Sequence, residues 1–72
     1  MDKIKKIKIR VNGKAHSLND NSKISDLVKK LKIPMKKVAI ELNQEIIDKK
    51  KINKINLKKN DKIEIVHFIG GG

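Results

Sequence analysis

The sequence contains no cysteine, tryptophan or tyrosine, and only one phenylalanine and one proline. Without cysteine there is no disulfide staple and no thiolate metal site. His16 and His67 are the two histidines; they fall in different expected strands with no ligand-like spacing, and two imidazoles alone do not make a zinc site. A single aromatic, Phe68, gives successive bases of a nucleic-acid strand no platform to stack on. Long apolar runs are missing as well. Nothing approaches the ~20 residues a membrane helix needs, and Met1-Asp2-Lys3-Ile4-Lys5-Lys6 lacks the apolar centre of a secretory signal. A cytoplasmic location and no membrane contact are the expectations.

Acidic residues are also few: eight, against nineteen Lys and Arg, for a formal charge of +11. Such an excess attracts anionic partners in general. Arg10 is the one arginine, and the other basic residues are all Lys. Recognition of phosphates and base edges favours the arginine fork. The charge therefore reads as a solvated lysine surface, or a diffuse attraction to an acidic protein, rather than as a specific nucleic-acid site. The chain has 72 residues, enough for one small domain whose core supplies only ~3–5 kcal/mol net.

The chain opens on an alternating segment. Ile7, Ile9 and Val11 face one way and Lys6, Lys8 and Arg10 the other, a half-buried strand begun by Ile4. Asn12-Gly13 supplies the positive φ angles of a type I′ hairpin turn. The return strand, Lys14 to Leu18, has only Ala15 and Leu18 as apolar residues, which suits a sheet edge. After the polar loop Asn19–Ser22, with Ser22 as N-cap, Ile24, Leu27, Val28 and Leu31 mark one face of a helix of about three turns. Asp26 lies near its positive end, and Pro34 stops it around Lys32.

Val38, Ile40 and Leu42 share a face of a third strand. Asn43-Gln44 is a turn, weaker than Asn-Gly because Gln tolerates positive φ poorly, and Glu45-Ile46-Ile47 is a brief fourth strand. Asp48 to Asn56 is basic and irregular, with Ile52, Ile55 and Leu57 tacking it to the body; its Lys49-Lys50-Lys51 run reads as a solvated face. The last strand, Ile63 to Phe68, carries Ile63, Ile65 and His67 on one side and Glu64, Val66 and Phe68 on the other. Apolar residues on both sides imply that both faces are partly covered, as in a central strand. The order is hairpin, helix, strand, short strand, irregular turn, strand. It predicts an α+β fold, one mixed sheet of four to five strands with a single helix across one face, and the last strand beside the first. That arrangement is the ubiquitin-like β-grasp. Residues 1–69 are expected to form this domain and residues 70–72 a flexible tail.

The sequence ends on Phe68-Ile69-Gly70-Gly71-Gly72. A glycine run there holds an α-carboxylate on a slender strand without side chains. With these elements in order, the whole chain resembles the ThiS-type sulfur carriers of thiamine biosynthesis. The residues that carry the resemblance are Val11-Asn12-Gly13, Ile24-Ser25-Asp26-Leu27-Val28, Val38 to Asn43 followed by Glu45-Ile46-Ile47, and above all Asp61 with Ile63 to Gly72.

The resemblance implies a carrier and co-substrate rather than an enzyme, with no bound cofactor. It implies an adenylating enzyme, related to ubiquitin-activating enzymes, that uses ATP to attach AMP to the Gly72 carboxylate. Sulfur drawn from cysteine through the persulfide of a desulfurase then displaces AMP, and thiazole synthase takes the sulfur from the thiocarboxylate. Gly70 and Gly71 would thread the partner's channel, and Phe68 and Ile69 would dock on its surface. Two other readings use the same tail: sulfur carriage for molybdopterin or a sulfur-containing amino acid, and a ubiquitin-like modifier joined to lysines. His-Phe before the glycines and the short chain favour thiamine.

Overall fold

The computed structural model describes residues 5–68, and the structural statements below concern these residues. Ile4, expected to begin the first strand, and Ile69 to Gly72, expected to dock and to carry the chemistry, lie outside them.

The strands are β1 (Lys6–Val11), β2 (Lys14–Asn19), β3 (Val38–Leu42), β4 (Glu45–Ile46) and β5 (Lys62–His67), with one α-helix, α1 (Ile24–Leu31). They form one five-stranded sheet in the order β2-β1-β5-β3-β4. β1 and β2 are an antiparallel hairpin, with Ile9 opposite His16 and Ile7 opposite Leu18. β5 runs parallel to β1, Val11 beside Ile63, and antiparallel to β3, Ile40 beside Ile65. The last strand therefore sits beside the first in the middle of a mixed sheet, as the alternation predicts.

Period-two patterning gives the sheet its inner face. Ile9, Val11, Leu18, Val38, Ile40 and Ile63 are buried there against Ile24 and Leu27 of α1, and Leu57 closes the core from the irregular segment. Burial of this apolar surface, at about 25 cal/mol per Å², is the main favourable term in a chain without staples.

α1 is shorter than its apolar spacing suggests, eight residues rather than three full turns. It is also capped one residue later than expected. Lys23 is the N-cap, and the Asp26 carboxylate accepts the Lys23 N–H at 2.8 Å. Ser22 instead presents its carbonyl to the Leu57 N–H at 2.7 Å, which stitches the helix start to the irregular segment. The helix ends in a Schellman turn: Ile33 N–H donates to the Val28 carbonyl and Lys32 N–H to that of Lys29, with Lys32 left-handed at φ 54°. Pro34 then leads into a single 3-10 turn, Met35–Lys37, and a second such turn spans Lys49–Lys51.

Both faces of β5 are expected to be partly covered, and the cover is unequal. The one helix lies across the inner face, and no described element covers the other. Val66 and Phe68 are 49% and 52% exposed on that open side.

Candidate functional site

The site is the C-terminal half of β5, the strand that leads into the glycines. Its two edges are held differently. Toward β3, Phe68 N–H donates to the Lys37 carbonyl at 2.9 Å, and Asn43 N–H to the Lys62 carbonyl at 2.8 Å. Toward β1, Asn12 N–H donates to the Ile63 carbonyl at 2.9 Å, where the parallel backbone pairing ends. The Asn12 side chain then takes over. Its Oδ1 accepts the Ile65 N–H at 2.7 Å, and its Nδ2 donates to the Ile65 carbonyl at a longer 3.4 Å. One side-chain amide thus stands in for the next residue of a strand that has already turned away.

The other hairpin asparagine acts at the start of the same strand. Asn43 Oδ1 accepts the Lys62 N–H at 2.9 Å, and its Nδ2 donates to Asp61 Oδ1 at 3.0 Å. Asp61 Oδ2 accepts the Lys58 N–H at 2.7 Å. Asp61 is the one buried charged residue among those described, and both its oxygens are hydrogen-bonded. Its place is structural: it ties the turn before β5 to the β3–β4 turn.

Both turns have paired positive φ angles, Asn12 49° and Gly13 82°, Asn43 51° and Gln44 74°. Each fits type I′, so the second turn keeps this geometry despite its glutamine. Register explains why. With Glu41 opposite Ile46 and Leu42 opposite Glu45, only two residues remain to close the hairpin.

Phe68, a sequence-predicted docking residue, lies at the mouth of the site. Its ring sits 5.2 Å under the Lys49 ammonium, a cation–π contact. Lys49 also donates to the Met35 carbonyl, so a residue of the lysine run belongs to the site's border. Val66 stands on the same open face beside Ala39, and Ile46, 76% exposed, lies at the far edge. These apolar residues extend the exposed apolar patch beyond Phe68. Val66 is recognisable in the sequence as an apolar residue on the polar side of an alternating strand. The Asn12 clamp leaves no such signal, because Asn-Gly is fully explained by its turn. His67 is exposed and His16 half-buried, and no cluster of metal-ligating residues occurs among the described residues. No helix among them is long and apolar enough to cross a membrane.

Residues 9–72 match the model of the ThiS family. The chain belongs to the ThiS family. It is 40% identical over 65 residues to the sulfur carrier protein ThiS of Bacillus subtilis, covering 89% of this chain and 98% of that one. It is also 35% identical over 66 residues to a thiazole synthase of Magnetococcus marinus, covering 92% of this chain but only 20% of the synthase. The crystal structure of a thiamine biosynthesis protein (ThiS) from Geobacter metallireducens superposes with a TM-score of 0.79 at 28% identity, covering 92% of this chain and all of that one. ThiS-family membership and this neighbour agree with the β-grasp read from the strand order. The matched range, residues 9–72, takes in the glycines that the structural description does not reach.

Proposed function

We propose that this protein is a sulfur carrier of thiamine biosynthesis, with the Gly72 carboxylate as the point of attachment. The observation that carries this reading is the near-complete likeness to the Bacillus subtilis sulfur carrier, together with a central strand that leads straight into Gly70-Gly71-Gly72.

The chemistry needs little from the side chains. A carboxylate is a poor electrophile, so it must first gain a leaving group. The partner adenylating enzyme supplies one: a Gly72 carboxylate oxygen attacks the α-phosphorus of ATP, and pyrophosphate leaves. A persulfide sulfur then attacks the carbonyl carbon and AMP leaves. A thiol breaks the remaining S–S bond, becomes the disulfide, and frees the thiocarboxylate. Gly70 and Gly71 lack Cβ atoms and fit a narrow channel in extended form, and Gly72 leaves its carbonyl carbon unhindered. Phe68 and Ile69 are the docking residues outside that channel, and Val66, on the open face with Phe68, joins them. Because one tail must visit two active sites in turn, the anchored part is a stiff central strand and the reacting part is the glycine end.

Thiazole synthase is the acceptor in this reading. Relatives named thiazole synthase carry a matching segment over a fifth of their length, which supports a carrier and a synthase that act together. The adenylating enzyme and a cysteine desulfurase as the sulfur source complete the set, and the carrier itself is a co-substrate that binds no cofactor. All of these are placed in the cytoplasm with ATP.

The test is intact mass after incubation with ATP, the adenylating enzyme and a sulfide source. The expected shift is that of one sulfur replacing one oxygen, and the loaded protein should then support thiazole formation by the synthase. Deleting Gly72 should abolish the shift and leave the thermal midpoint unchanged. Sulfur uptake by the truncated chain would remove Gly72 from its role. Ladders of lysine conjugates would point to a protein modifier instead.

A further inference from the structure

On the β1 side of β5, the odd-numbered residues present their backbone groups. Ile63 is bonded by the Asn12 backbone and Ile65 by the Asn12 side chain. His67 is the next residue in this series. β1 has turned back at Asn12-Gly13, and no described residue bonds the His67 N–H or carbonyl. Among the described residues, the central strand therefore has an open edge at His67, in line with the end of β1. An unpaired edge of this kind is a template for an added strand.

Beside that edge lies a groove of about 390 Å³, lined by Val11, Leu31, Ile33, Pro34 and Ile65, with Asn12 and the exposed Lys14, Lys32 and His67 around them. It exists because α1 ends at Leu31, short of the end of β5, leaving Leu31, Ile33 and Ile65 only half-buried. No acidic residue among those described lines it. The floor is apolar, the rim is cationic, and one wall is a strand edge.

We propose that this groove receives an extended segment of the tail-processing partner, paired along the His67 edge, with an apolar side chain in the groove and acidic side chains toward Lys14 and Lys32. It rests on the reading that an adenylating partner handles the tail. It is a second contact, on the sheet face opposite Val66 and Phe68, so that a partner would grip β5 from its edge as well as from its open face. Alternating side chains of an added strand would satisfy both the groove and the rim.

The experiment uses the full chain and its adenylating enzyme. The double variant Lys14→Glu with Lys32→Glu changes two exposed residues. A control of equal net charge, Lys50→Glu with Lys51→Glu, lies in the second 3-10 turn. The groove variant should raise KM for the carrier roughly tenfold with kcat unchanged, and the control less than about threefold. Backbone hydrogen exchange should show the His67 amide slowed by the wild-type enzyme complex and not by the complex of the groove variant. Equal KM changes in the two variants would mean general electrostatic steering and would overturn the proposal. So would an unprotected His67 amide, or a dimer of the free carrier that seats a second copy in the groove. If the wild-type chain gains no sulfur from any adenylating enzyme, the carrier reading fails first, which separates the two failures.

Discussion

At residue scale, the informative positions are those where the backbone is left-handed without glycine: Asn12, Asn21, Lys32, Asn43, Gln44 and Asn60. Asparagine tolerates this region through its short polar side chain, and here Asn12 and Asn43 also use their amides to hold β5. Gln44, at φ 74°, bears the penalty without such a bond. Gln44→Gly should relieve ~1–2 kcal/mol of left-handed strain and lose part of it to the freer unfolded chain, for a net gain of about 0.5–1 kcal/mol in urea unfolding. Asp61→Ala leaves the Lys58 N–H and the Asn43 amide without their acceptor and should destabilise by about 1–3 kcal/mol. The turn at Asn12-Gly13 was legible from residue types alone. The clamping role of Asn12 was not, since it depends on β5 arriving from fifty residues away.

At the scale of elements, the strands of the sheet and the single helix follow from period two and period 3.6 in the sequence. Apolar residues on both sides point to β5 as the central strand, which it is, but its outer side is only half covered. Val66 and Phe68 are not covered by a second layer; they form an open apolar patch. One sequence cannot distinguish an apolar residue buried by a neighbouring layer from one held ready for a partner, because both leave the same pattern. Similarly, Ser22 has the chemistry of an N-cap, but Leu57 claims its carbonyl through a pairing remote in sequence. Asn12→Ala tests how the β5 element is stiffened. The loss of two bonds to Ile65 should speed hydrogen exchange at Ile65 well before it affects Ile40 or Leu27. A uniform rise across the whole sheet would mean that Asn12 acts on global stability only.

At the scale of the whole molecule, the charge of +11 surrounds a small core without staples, and it is carried by lysines rather than arginines. A diffuse cationic surface steers acidic partners over a Debye length of about 10 Å at 0.1 M salt. The KM for the carrier in adenylation should therefore rise with ionic strength while kcat stays constant; a salt-independent KM would remove steering from the account. The proposed division of labour is a body that docks and an end that reacts. The body is readable from its periodicities and the family from the stretch that ends in glycines, but neither shows the groove at the open edge of β5. The claim on which the rest depends is that sulfur rides on the Gly72 carboxylate. Fragmentation of the sulfur-loaded intact chain in a mass spectrometer tests it most directly. Every fragment containing Gly72 should carry the mass of sulfur in place of oxygen, and every fragment lacking it should not; sulfur found on fragments that lack Gly72 would contradict the account.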